Sequence, residues 1–156
     1  MTSLINDFQN WSDEPFFDSV FSWYWGHGRL GKYSIVWFDF LGLDGTEYVS
    51  AYASVHGEII VASCKDGSTN VRPSDGDYPP KANSTNPGGF SVELDLGLDG
   101  ILSVNVTVET ILAEADTLYT RWAGSMVGSL DGGKVIDGGV ALFEQFNLAA
   151  LAQGGT

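Results

Sequence analysis

The 156-residue chain is predicted to be all-β, a single antiparallel β-barrel of about 8–9 strands. Runs rich in Val, Ile, Trp, Tyr, Phe and Thr recur along its whole length. Twenty glycines punctuate those runs at turn-like spacing. No segment carries a convincing amphipathic helical period, although the tail FNLAALAQ has room for a turn or two of helix.

Strands are expected at roughly 18–28, 31–42, 46–55 and 58–64, with a short one near 69–73 and then 89–98, 101–114, 117–129 and 134–147. One domain covers 1–156, with residues 1–16 as an N-terminal arm. Residues 72–88 form a long loop, because RPSDGDYPPKANSTN sets three of the five prolines among turn formers. A functional lid and a disordered segment both fit that composition.

The turns set the register. GLDG occurs at 42–45 and 97–100, and SLDGG at 129–133 is a near relative, each offering glycine where a three-residue loop needs a left-handed residue. Closed that way, the second copy pairs Leu96 with Leu102, Leu94 with Val104 and Val92 with Val106. One face is then wholly apolar and the other polar, whereas a two-residue loop would mix them. The same loop at 29–31 pairs Trp25 with Ile35, Trp23 with Trp37 and Phe21 with Asp39. The first GLDG sets Asp39 opposite Val49 and Trp37 opposite Ala51.

On this reading Phe21, Trp23, Trp25, His27, Ile35, Trp37, Asp39 and Leu41 share one sheet face, with small residues opposite leaving space beside the rings. The reverse face carries Val36, Phe38, Phe40, Tyr48 and Tyr52. Two partly apolar faces imply a closed barrel whose outside is also covered, or an oligomer. The SLDGG hairpin pairs Trp122 with Val140 and Met126 with Ile136, and Leu142, Glu144 and Phe146 continue that apolar face.

Seven basic residues against twenty acidic give a net charge of −13, which repels phosphate backbones and anionic membrane surfaces. Neither nucleic acid nor membrane is an expected partner, and no apolar run approaches the ~20 residues that span a bilayer. A small hydrophobic molecule is the expected ligand. Cys64 is the one cysteine, so no internal disulfide forms. The start MTSLINDFQNWSDEP lacks a basic region followed by an apolar one, so the expected location is cytoplasmic and the sequons at Asn10, Asn83 and Asn105 idle.

No nucleotide, phosphate, zinc or nucleophile-elbow signature is present, and two histidines 29 positions apart make a poor metal site. No cofactor and no metal are expected. Asp39 needs a reason, because a carboxylate on an apolar face costs several kcal/mol unless paired or protonated. It is either a general base at the floor of an aromatic pocket, with His27 nearby, or a carboxylate that reaches solvent or a backbone amide. Glu144 poses the same question, and a salt bridge with Arg121 or Arg29 answers it structurally. His27 suits acid–base work near neutral pH but sits before a glycine turn, where a packing role is commoner. His56 reads as a turn residue and Cys64 as core filler.

The run from Phe16 through WYWGHGRLGKYSIVWFDFLGLDGTEYVSAY, with TRWAGSMVGSL and VALFEQFNL, resembles the C-terminal lipocalin-like domain of the fungal Diels–Alderase family, itself related to hydroxyneurosporene synthase-like proteins. The resemblance implies a lipocalin-like barrel and cofactor-free pericyclic cyclisation of a polyketide or terpenoid intermediate. Family members carry an N-terminal barrel before this segment and build the pocket between the two. A stand-alone half is expected to use its own lumen, to dimerise, or to lack catalysis. Where the family shows a histidine–aspartate pair before an Asn-Trp step, this chain reads NDFQNWSDEP.

The leading expectation is therefore a small cofactor-free Diels–Alderase or hetero-Diels–Alderase. Asp39, His27 and Glu144 are its candidate catalytic groups, and Phe21, Trp23, Trp25, Trp37, Tyr48, Tyr52, Trp122 and Met126 its candidate substrate-binding groups. A non-catalytic carrier of a hydrophobic metabolite needs the same pocket. A purely structural partner in a dimer is the third reading, and a homodimer is the expected assembly if a second copy replaces the other barrel.

Overall fold

The computed structural model describes residues 15–153. Nine strands follow in order: β1 (Val20–Leu30), β2 (Tyr33–Gly42), β3 (Glu47–Val55), β4 (Glu58–Ser63), β5 (Thr69–Pro73), β6 (Gly89–Asp95), β7 (Ile101–Ala115), β8 (Tyr119–Leu130) and β9 (Ile136–Asn147). Each overlies one of the expected runs, with ends that differ by a few residues. The tail folds as a short helix, Ala149–Gln153. The NDFQNWSDEP variation and the sequon at Asn10 lie outside the described residues, except for Pro15.

All nine strands form one antiparallel sheet in the order β4-β3-β2-β1-β9-β8-β7-β6-β5. Pairing of β1 with the distant β9 rolls the sheet, and its β5 edge comes to lie against β2 and β3. The result is a lipocalin-like barrel whose last closure is made by side chains, as described below.

Alternation along β1 explains how two sets of rings fit on one strand. In WYWGHG the side chains of Trp23, Trp25 and His27 point outward, while Tyr24, Gly26 and Gly28 face the lumen. Glycine is required there: a methyl at Gly26 would meet the Trp37 ring and the Phe143 side chain, so the large rings of neighbouring strands lie across the bare backbone of β1. Gly124 on β8 is tighter still, because its missing side chain would overlap the carbonyl oxygen of Thr107.

The lumen is packed, not hollow. Trp37, Trp122, Ile35, Leu30, Met126, Phe143, Leu94, Leu102 and Val71 are all buried in one cluster that fills it. A second cluster forms outside the sheet, where Val20, Trp23 and Leu148 pack with Phe16, Trp25, Phe38, Phe40, Leu118 and Phe146. Its rings meet mostly edge to face, as in Trp23 with Phe38 at 5.0 Å and Phe16 with Trp23 at 5.0 Å.

Three turns differ from the expected three-residue loops. The β1–β2 hairpin is closed by Gly31 and Lys32, with Leu30 opposite Tyr33 and Gly31 at φ +56°. A two-residue turn with glycine first matches the twist of the strands and was not excluded by the pattern, since both faces are apolar. Trp25 consequently pairs with Phe38 and Trp23 with Phe40. This moves Trp37, Ile35 and Asp39 to the face opposite Trp23, Trp25 and His27.

The β8–β9 hairpin slips by an odd number as well. Trp122 pairs with Phe143 and Met126 with Gly139, then a bulge near Gly138 resets the register. Glu144 therefore leaves the face of Trp122 and Met126 and sits outside, opposite Trp25. At 97–100 the slip is two, Leu94 pairing with Leu102, so the faces stay as expected. The first GLDG turn has the expected register, with Asp39 opposite Val49 and Trp37 opposite Ala51. Cys64 is exposed just beyond β4 rather than filling the core.

Candidate functional site in the outer aromatic cleft

Because the lumen is full, the concave space is outside. A half-open cleft of about 690 Å³ lies against the outer face of β1, β2 and β3, walled by Trp23, Trp25, Val36, Phe38 and Tyr52. Val140 of β9 and the backbone at Gly28 and Ile35 complete it, and its polar groups are His27, Arg29, Ser34, Ser50 and Tyr52. Among the described residues no aspartate or glutamate lines it. A space of this size and polarity suits a drug-sized apolar molecule, whose usual pockets run about 300–1,000 Å³.

His27 stands at the wall of this cleft, its ring 5.4 Å from that of Trp25. Partial burial disfavours the imidazolium and lowers its pKa below the ordinary 6.5, so a neutral ring is present around neutral pH. Tyr48 stacks on Phe40 at 4.8 Å, farther along the same face, and remains about half exposed. Phe21 lies in the irregularity at the start of β1, where its carbonyl accepts the Leu148 N–H at 2.9 Å.

Asp39 faces the barrel interior. Its Oδ2 accepts the buried Val71 N–H at 2.9 Å and the Arg72 guanidinium at 3.1 Å. The edge strand β5 is thus held against β2 by a carboxylate in place of a backbone ladder. Arg72 also binds Glu47 at 2.7 Å and lies 3.8 Å over the Tyr78 ring, whose hydroxyl donates to Glu47 at 2.8 Å. Desolvation first, and the neighbouring Glu47 carboxylate after it, push the Asp39 pKa up to about 7. Its Oδ1 and the hydroxyl of Tyr24, the residue directly opposite, are buried without hydrogen-bond partners.

Residues 74–88 are tied across this end of the barrel. Asn147 donates to the Lys81 carbonyl at 3.0 Å, and Asn86 donates to Glu114 at 3.1 Å. Glu144, wholly buried on the outer face, accepts from Tyr119 at 2.8 Å and from Arg121 at 2.9 and 2.6 Å. Of the two arginines expected for it, Arg121 is the partner.

The candidate residues therefore divide. Trp23, Trp25, His27 and Tyr52 meet in the cleft; Trp37, Trp122 and Met126 are core; Asp39 and Glu144 are each committed to an arginine. Val36, Phe38, Ser34 and Ser50 line the cleft without having been singled out as ligand-binding. The signal for them was present, since Val36 and Phe38 belong to the second apolar face of β2, but the hairpin register decided which tryptophans joined them.

No family model matches the chain. It is 39% identical over 145 residues to the quinolone epoxide rearrangement protein asqO of Emericella nidulans, an alignment covering 91% of this chain and 39% of that one. It is 39% identical over 140 residues to the quinolone epoxide rearrangement protein penF of Penicillium thymicola, covering 88% of this chain and 38% of that one. The chain thus spans about two-fifths of the length of these curated relatives.

Among solved structures, CghA superposes with a TM-score of 0.65 at 12% identity, over 85% of this chain and 42% of that chain. Kievitone hydratase from Nectria haematococca superposes with a TM-score of 0.53 at 17% identity, over 82% and 40%. Those two likenesses establish the fold, and the sequence matches establish that fungal quinolone epoxide rearrangement proteins are homologues of this chain.

Proposed function

We propose that the chain binds an apolar, ring-bearing secondary-metabolite intermediate in the outer cleft and isomerises it there without a cofactor. The observation that carries this reading is the aromatic cleft itself, the roomy apolar concavity outside a filled lumen. Homology to quinolone epoxide rearrangement proteins supports an epoxide as the reacting group.

An epoxide rearrangement asks little of the protein. A donor such as the Tyr52 hydroxyl hydrogen-bonds the oxirane oxygen, a C–O bond breaks with its electron pair passing to oxygen, and positive charge develops on carbon. A neighbouring group or hydrogen then migrates and the oxygen closes to a carbonyl with no net proton transfer, or an internal nucleophile closes a ring and its proton passes by way of neutral His27 to the newly formed alkoxide oxygen. Product and substrate are isomers. The partly exposed ring of Trp25 favours a passing cation by about 0.5–2 kcal/mol. Holding the reacting ends together contributes up to about 7–11 kcal/mol in the best intramolecular cases.

A Diels–Alder or hetero-Diels–Alder cyclisation draws on the same positioning, with the donors polarising a dienophile carbonyl. Incubation with an aryl-substituted quinolone epoxide tests the reading. The expected result is faster appearance of a single isomer of unchanged mass, lost in Trp25→Ala and slowed in His27→Gln. Binding that leaves rate and stereochemistry untouched would make the protein a carrier, and absence of binding would remove the cleft from consideration.

A further inference from the structure

The cleft holds one unusual charge. The chain has seven basic residues among twenty acidic ones, so guanidinium groups here are readily neutralised. Arg72 is held by Asp39 and Glu47, and Arg121 by Glu144. Arg29 is in no ion pair among the described residues, and its cross-strand neighbours on β1's two sides are Ser34 and Val140. All three line the cleft, where among the described residues no carboxylate competes for the guanidinium. His27, two residues before it and on the same outward face, keeps a neutral ring near neutral pH, because burial lowers its pKa.

Resting on the cleft reading above, we infer that Arg29 selects a ligand bearing an anionic oxygen, a carboxylate, enolate or phenolate, at one end of an apolar ring system. The guanidinium fork matches a carboxylate with two parallel hydrogen bonds, and the apolar wall of Trp25, Val36 and Phe38 takes the ring system. The field of a chain with net charge −13 opposes any anion at long range. A preference for one at this place is therefore a local property of Arg29, since screening confines the opposing field to about 8 Å at physiological salt.

Two probes of one shape separate charge from ring binding: 2-naphthoate, which is anionic, and 2-naphthamide, which is neutral. Tryptophan fluorescence or calorimetric titration of the intact chain gives both affinities. Wild type is expected to bind naphthoate about fivefold more tightly than naphthamide, as suits a partly exposed charge pair. Arg29→Gln should erase that preference by weakening naphthoate far more than naphthamide, and Arg29→Lys should restore part of it. High salt should reduce the preference in wild type.

Equal affinities in wild type, or a preference that survives Arg29→Gln, would overturn the inference while leaving the cleft reading intact. Binding of both probes weakened alike by Arg29→Gln would make the side chain a packing element and overturn it too. If neither probe binds at all, the cleft reading falls and this inference with it.

Discussion

Replacing Asp39 by asparagine tests how the barrel is closed. In the folded chain the Asp39 carboxyl has a pKa of about 7, against an ordinary 3.8. The folded state therefore keeps a proton that the unfolded chain releases, and this group's contribution to stability declines as pH rises from about 4 to about 7. Those two values make the contribution about 2–3 kcal/mol smaller at about pH 8 than at about pH 5. The carboxyl is 1% exposed, so solvent screens that figure little.

Glu47 has the opposite sign. Its pKa is lowered, so its contribution is lost only as pH falls below the ordinary 4.5, outside this window. The side-chain amide introduced by Asp39→Asn retains an oxygen for the Val71 N–H and cannot ionise, so this variant should flatten the profile. Urea unfolding followed by tryptophan fluorescence measures it, and the wild-type midpoint on heating should fall by about 5–10 °C across the window relative to the variant. Asp39→Ala should instead lose about 1–3 kcal/mol at every pH, because the Val71 N–H is left buried and unpaired. Parallel profiles for wild type and Asp39→Asn, or an Asp39→Ala protein as stable as Asp39→Asn, would refute the clasp.

Four further outcomes are expected. Arg121→Met strands the buried Glu144 carboxylate and should cost about 3 kcal/mol in denaturant melts, much of it recovered in Arg121→Met with Glu144→Leu. Gly124→Ala forces a methyl against the Thr107 carbonyl and should cost about 1–3 kcal/mol or more, read as a lowered unfolding midpoint. Trp37→Ala should remove about 3–5 kcal/mol of packing, whereas Trp25→Ala should cost less and chiefly weaken ligand binding, measured side by side by melting and titration. If neutral His27 takes the proton, kcat/KM should fall only as pH drops below 6.5, and this acid limb should vanish in His27→Gln; a limb centred above 6.5 would speak against it.

The strands were legible because β-rich runs and glycine punctuation mark them, and even the short β5 could be read from five residues at 69–73. The polar face of β6 and β7 was legible too, since Ser91, Glu93, Ser103 and Asn105 alternate with Leu and Val that can only go inside. At β1 and β2 the same reasoning had nothing to hold, because Trp, Phe and Val occupy both faces and a one-residue slip leaves each register apolar. Only the turn could decide, and Gly31 served a two-residue turn as well as a three-residue one.

The glycines of β1 contained the missing information. A ring on β2 can cover β1 only where β1 has no side chain, so Trp37 must lie on the face of Gly26, and Trp23 and Trp25, one residue out of phase with it, must lie on the other. That single condition fills the lumen and places two indoles outside. On the outside, Phe16, Leu118, Phe146 and Leu148 bury Trp23, while Trp25, at the edge of that cluster, stays partly exposed and His27 exposed. The uncovered remainder is the cleft, so filling the interior and opening a site on the exterior follow from the same alternation of tryptophan and glycine.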